Sequence, residues 1–241
     1  MIRVLVPTGS IESGATIALD DEEARHLEVR RAGDRTAAHA LDGAGALGMG
    51  TLRHTGESWL FAVEMAVIQP RPAELILAVG AGDKDRFLTV AEKAAELGVT
   101  RIIPLETTHT RSVASRLRDG ALDKARRRAR EACKQSGNAW VPTIDALATL
   151  AALPSLASGV RWLLADPRGG DLPTALSQDP VGWLIGPEAG FSDAEIEAAE
   201  ADLGATPIRL GRHVMRFETA AVAAAVLTER ARAEVVRARR G

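Results

Sequence analysis

The chain has 241 residues, 46% hydrophobic and 26% charged, with a formal net charge of −2. This length suffices for one large domain or two modest ones, and the composition excludes a disordered, collagen-like or disulfide-built protein. A single cysteine, Cys133, excludes an internal disulfide, no basic and apolar leader opens the chain, and the longest apolar run, Ala220–Leu227, is too short to span a bilayer, so no membrane association and a cytoplasmic location are expected.

In chain order, Ile2–Val6 and Ala15–Leu19 read as short strands, and Asp20 with Glu23 as cap and capping partner of a helix reaching about Arg31. Three more strands follow, Thr36–Leu41, Gly48–His54 and Trp59–Ile68, separated by the turns Gly43-Ala44-Gly45 and Gly56-Glu57-Ser58. Short strands with turns between them predict a small β-barrel-like domain over residues 1–69, with Gln69-Pro70-Arg71-Pro72 as linker.

Beyond Pro72 the period changes. Leu75–Val79, Arg101–Leu105, Arg161–Ala165, Gly182–Ile185 and Thr206–Leu210 are short apolar strands, and Arg86–Leu97, Leu117–Ser136, Asp193–Asp202 and Phe217–Arg237 are helical patterns. This alternation predicts an α/β domain over residues 73–241, a parallel sheet with helices on both faces.

Charge is unevenly spread. Residues 1–70 hold six Lys/Arg against ten Asp/Glu, whereas residues 111–134 hold nine against three, a stripe dense enough to bind phosphate or to form a solvated helix face. At 100° per residue Arg126 and Arg130 share a face, while Arg127 and Arg128 spread around the cylinder. The loop Gly80–Asp85 fails both phosphate-loop spacings, which leaves Lys84 as an RNA contact or a solvated side chain. The five histidines lack metal-site spacing, so no metal is expected. No GxSxG elbow or Cys/His pairing points to covalent catalysis.

Two stretches carry the chemistry. Trp183-Leu-Ile-Gly-Pro-Glu-Ala-Gly-Phe-Ser192 is an apolar run that stops at Gly186-Pro187 and restarts as a helix near Asp193. Gly186 and Gly190 let backbone approach a ligand, and the following helix would present free N–H groups to it. Leu210-Gly-Arg-His-Val-Met-Arg-Phe-Glu-Thr-Ala220 repeats the layout, and the two turns are expected to form two walls of one pocket.

Together GPEAGFS and LGRHVMRFETA resemble the carboxyl-terminal signature of the SPOUT class of RNA methyltransferases, in particular the family that methylates N3 of a uridine in 16S ribosomal RNA. Lys93-Ala-Ala-Glu-Leu-Gly-Val99 is a further family-like segment. The resemblance implies a trefoil-knotted SPOUT sheet preceded by a PUA-like β-barrel, and S-adenosylmethionine as cofactor. It implies a homodimer acting on 16S rRNA or the small ribosomal subunit. The cofactor would be gripped by Ile185, Gly186, Pro187, Glu188, Gly190, Leu210, Gly211, Val214 and Met215, with Leu164 and Thr219. Arg216 would stabilise negative charge on the base, with Glu188 and Glu218 as the available carboxylates. Glu218 and Thr219 equally fit a helix cap.

Arg25-His-Leu-Glu-Val-Arg-Arg-Ala-Gly-Asp34 resembles the family's amino-terminal segment and implies that Arg25, Arg30 and Arg31 bind RNA, and the carboxyl-terminal signature implies the same of His213; Lys84 and the stripe residues Arg126, Arg127 and Arg130 are the further RNA-binding candidates, with solvated side chains as the alternative. Four positions depart from the family pattern: Ala189 replaces a glycine, His213 an arginine, and Lys134 with Asn138 stand where an acid and an arginine are usual. Uridine N3 carries an imide proton, so the reaction needs deprotonation, stabilisation of the anionic ring and alignment with the methyl donor, with no covalent intermediate. A non-catalytic RNA-binding protein and an α/β enzyme for another adenine nucleotide are the alternative readings.

Overall fold

The computed structural model describes residues 1–56, 58–80, 82–110, 117 and 120–238, the last three by backbone alone. The chain divides into two compact units, Met1–Arg71 with Arg130–Val141, and Pro72–Ala129 with Pro142–Gly241. This amends the expected division at residues 69–73, because residues 130–141 belong to the first unit although they lie far along the chain.

The first unit is a five-stranded sheet of β1 (Ile2–Leu5), β2 (Thr16–Ala18), β3 (Ala37–Leu41), β4 (Ala46–His54) and β5 (Trp59–Ile68), in the order β1-β3-β4-β5-β2. β1 and β3 are parallel, and the other pairs are antiparallel. Alternation sends Ala46 and Leu52 of β4 and Phe61 and Val63 of β5 inward, where they meet Val4, Ile17 and Leu27. Helix α1 (Asp21–Val29) starts as expected: Asp20 Oδ1 accepts from the Glu23 N–H at 2.9 Å. Glu23 does not reciprocate, since its carboxylate accepts from Lys134 Nζ at 2.8 Å. The helix ends two residues before the expected Arg31, which has φ 52° and cannot continue it. Segment 130–141 is tied in by Arg3, whose guanidinium donates to the Lys134 and Gln135 carbonyls, and by Trp140, whose Nε1 donates to the Pro70 carbonyl at 3.1 Å.

The second unit is a parallel sheet of seven strands: β6 (Leu75–Gly80), β7 (Arg101–Glu106), β8 (Thr143–Ile144), β9 (Ala148–Thr149), β10 (Arg161–Gly170), β11 (Val181–Ile185) and β12 (Thr206–Ile208). The order is β12-β10-β11-β6-β7-β8, with β9 also pairing β7. β6 and β11 are buried along their whole length, as strands covered on both faces must be. Helices α2 (Lys84–Glu96) and α6 (Phe217–Ala238) pack together and α6 lies on β6 and β11, where Trp183 Nε1 donates to Thr228 Oγ1 at 2.8 Å. On the opposite face α4 (Leu153–Leu156) and α5 (Asp193–Leu203) bury Leu153 and Ala199 against Ile76, Trp162 and Leu184. Helix α3 (Gly120–Ser136) begins in this unit and finishes in the first.

Three features differ from the sequence reading. β10 runs five residues past Ala165, through Asp166-Pro-Arg-Gly-Gly170, with a shifted register against β12. That composition reads locally as a turn, and only its neighbour makes it a strand. β12 stops at Ile208, so Arg209 and Leu210 join the following loop. β8, β9 and α4 are too short to leave a periodic trace.

Candidate active site

Beyond the carboxyl ends of β10 and β11, and beneath the loop after β12, lies a cavity of about 280 Å³. One wall is the turn after β11. The Gly190 N–H donates to the Pro187 carbonyl at 2.8 Å, and Gly190 has φ 74°. A Cβ on Gly186 would lie 3.1 Å from Gly190 Cα, so a side chain there would force the turn open. Ala189 keeps a negative φ, and the alanine is accommodated without strain. The second wall is the stretch after β12, with Leu210, Gly211, Val214 and Met215, closed by Phe217 and Ala220 of α6.

The third wall, Ala165, Asp166 and Pro167, was not expected. Asp166 is 8% exposed and accepts from Arg168: Oδ1 from the backbone N–H at 2.7 Å, Oδ2 from Nη2 at 2.8 Å. The hydrogen bonds from the Arg168 side chain, then burial opposing them, leave the Asp166 carboxyl below its ordinary range, so it lines the cavity as an anion. Its local signal was only an acid at the end of a strand.

The N-terminus of α5 does not serve the cavity as expected. Ser192 and Glu195 form a capping box, with the Ser192 N–H donating to Glu195 Oε2 at 2.8 Å, and Glu195 Oε1 accepts from the Thr108 N–H at 2.7 Å. The helix end is satisfied by its own side chains.

Of the expected cofactor residues, Ile185, Gly186, Pro187, Glu188, Gly190, Leu210, Gly211, Val214 and Met215 line the cavity together with His213. Leu164 does not: it is 1% exposed and packs in the core. Thr219 is exposed and lies outside the lining, since on α6 the inward positions are Phe217 and Ala220. Arg216 is exposed beside the cavity, and among the described residues its guanidinium has no hydrogen bond or ion pair. Glu188 Oε1 lies 3.3 Å from Arg86 Nη1, and Glu218 Oε1 lies 4.0 Å from Arg86 Nε. Glu218 Oε2 is buried without a hydrogen-bond partner among the described residues.

Lys84 lies with His109 on a second cavity of about 520 Å³ that shares Pro187–Ala189 with the first. Arg127 and Arg130 are exposed on α3. Arg126 is pinned to the fold, donating from Nε and Nη2 to the Ile144 carbonyl at 3.1 and 2.8 Å and from Nη1 to Asp123 at 2.8 Å. These bonds make it an anchor of α3. Arg111, Arg116 and Arg118 of the basic stripe lie outside the described residues. In the first unit Arg25 donates to the Asp21 carbonyl at 3.0 Å, and Arg25, Arg30 and Arg31 are exposed. Lys134 is buried between Glu23 and Glu131, and Asn138 Oδ1 accepts from the Trp140 N–H at 3.0 Å, so both departures serve the fold of the first unit. Among the described residues no group of three or more His, Cys, Asp or Glu side chains is placed to hold a metal, and no helix is long and apolar enough to cross a membrane.

A parallel α/β sheet with glycine-turn walls at its carboxyl edge defines a ligand-binding α/β protein, and the chain belongs to the RNA methyltransferase domain family, which matches residues 69–229. It is similar to the ribosomal RNA small subunit methyltransferase E of Synechocystis sp., 28% identical over 229 residues, covering 90% of this chain and 73% of that protein. The protein of the same name from Rickettsia conorii is 26% identical over 155 residues, 62% of each chain, so that match spans less than two thirds of the relative's length. The structure of the Neisseria gonorrhoeae ribosomal RNA small subunit methyltransferase E bound to S-adenosyl methionine superimposes with a TM-score of 0.83 at 25% identity, covering 94% of this chain and 95% of that one.

Proposed function

We propose that the protein methylates N3 of one uridine in the 16S RNA of the small ribosomal subunit, with S-adenosylmethionine as donor. The observation that carries this is the cavity: both motif turns line it, in a fold shared with a relative solved bound to that molecule. The residues present fit such a group. Ile185, Leu210, Met215 and Phe217 offer apolar surface to a base, the glycine turns offer backbone, and the buried Asp166 anion suits a ligand with two cationic centres.

When bound, the donor supplies an electrophilic methyl on a sulfonium. The rest falls to the chain. The walls hold the methyl in line with N3 and exclude water, which lowers the barrier by positioning. Arg216, permanently charged and unpaired among the described residues, faces the anion that develops on the ring. Glu188, on the cavity, and Glu218, beside Phe217, are the carboxylates available to receive the N3 proton.

The same reading includes a trefoil knot, a PUA-like RNA-binding first unit, a homodimer and a cytoplasmic location. The knot is supported by the path of the chain from the edge strand β12 back to α6 on the inner strands β6 and β11. The PUA-like reading rests on the five-stranded, mostly antiparallel sheet of the first unit and its exposed arginines. The dimer is supported by apolar side chains left on the surface at and after the second motif, Val214 at 81% and Val226 at 45% exposure. No observation favours the non-catalytic reading.

The test is a methylation assay on small subunits from cells lacking the activity, read by nucleoside mass spectrometry. 3-Methyluridine is expected, and methyl on C5 or on a ribose oxygen would overturn the chemistry. Arg216→Ala should lower kcat about 10²-fold, the scale of losing one oxyanion donor, with little change in cofactor Kd. Gly186→Val should abolish cofactor binding.

A further inference from the structure

Outside the cavity lining, one cation sits among the acids of the site. Arg86, in the first turn of α2, is two-thirds buried and meets carboxylates from three segments. Its Nε lies 3.9 Å from Asp83, the residue that caps α2, and 4.0 Å from Glu218 in the first turn of α6. Its Nη1 lies 3.3 Å from Glu188 in the turn after β11. Among the described residues neither Glu188 nor Glu218 has another cation within 4.0 Å. Glu188 stands on the first wall of the cavity and Glu218 follows Phe217 on the second. We propose that Arg86 is a positioning residue for methyl transfer: its guanidinium clamps the glycine turn to the start of α6 and so sets the separation of the two cofactor-holding walls.

The physical argument is one of charge. Without Arg86 the two walls present like charges to each other and to Asp83 across a partly dry junction, and repulsion drives them apart. Glycines make the first wall compliant, so an outside tie is needed to hold it. A planar guanidinium can serve several acceptors at once, which a lysine, as a point charge, does less well. Arg86 does not itself line the cavity, so it acts through Glu188, which does, and through Glu218. This inference rests on the proposed function.

The experiment compares wild type, Arg86→Gln and Arg86→Lys by calorimetry with S-adenosylmethionine and by steady-state kinetics on small subunits. The Gln variant should raise cofactor Kd and KM about two- to fivefold, the range for losing partly exposed ion pairs. Its KM for the ribosomal substrate and the salt dependence of that KM should stay as in wild type, and Lys should restore part of the loss. A wild-type Kd in the Gln variant overturns the clamp. A raised ribosomal KM with a flattened salt slope also overturns it, since Arg86 would then be a phosphate contact. No rescue by Lys would reassign the effect to lost packing. Should the Gln variant fail to fold, Arg86→Met, which keeps the packing of the stem, carries the same comparison. Absence of cofactor binding by the wild type would sink the proposed function rather than the clamp.

Discussion

Lys134 is 5% exposed and spans two acids, with Nζ 2.8 Å from both Glu23 and Glu131. Burial pushes the Glu23 carboxyl up and Lys134 opposes it, so removing the lysine would leave a buried acid alone. Lys134→Met should destabilise the protein by about 3–5 kcal/mol, the cost of breaking a buried pair, read as a lower urea midpoint at constant slope. Glu23→Leu combined with Lys134→Met should recover most of it, because the buried acid goes with its partner and the exposed Glu131 is left to solvent; an unrecovered double variant would show that the pair does more than balance charge. The neighbouring Cys133 thiol, pushed up to about 12 by burial, is excluded as a nucleophile near neutral pH. None of this is visible around residue 134 in the sequence, which shows one more charge in a basic helix.

At the scale of elements, α3 separates structural from free arginines. Arg126 is committed to the Ile144 carbonyl, and Arg128 lies 3.6 Å from Glu92, whereas Arg127 and Arg130 point to solvent. Replacing Arg127 and Arg130 with Ala should weaken rRNA binding and flatten the slope of log K against log salt by about 0.7–0.9 per lost phosphate contact. Arg126→Ala should instead lower thermal stability and leave that slope unchanged, and the opposite pattern would return Arg126 to the RNA surface.

The start of α5 carries the pH dependence. Burial tends to raise the Glu195 carboxyl, but hydrogen bonds from Ser192 and Thr108 outweigh it and hold the folded value below the ordinary one. The ionised carboxylate therefore stabilises the fold above the unfolded carboxyl range, about pH 4, and the contribution is lost as pH falls through the folded value. Glu195→Gln should unfold at a less pH-sensitive midpoint in acid than wild type. Equal acid sensitivity of the two proteins would sink this. Sequence alone placed a helix start near Asp193; that Ser192 and Glu195 cap it, and that the carboxylate also reaches Thr108, came from the structure.

For the whole molecule, the proposed homodimer should appear in light scattering as twice the mass of the 25.5 kDa chain, and an active monomer would sink it. Val226→Glu, placing charge on the exposed side of α6, should shift the protein toward monomer. The sequence by itself determined the longer elements after Pro72, the parallel sheet and the two glycine turns, because hydrophobic period and turn chemistry are local. It also carried the family signature and most of the first two cavity walls. Only the tertiary structure decided the strand order β12-β10-β11-β6-β7-β8, the membership of residues 130–141 in the first unit, the third wall at Asp166 and the gathering of Glu188 and Glu218 around Arg86. Each of these depends on partners distant in the chain, and which partners meet is settled by packing and loop closure rather than by any residue's own preference.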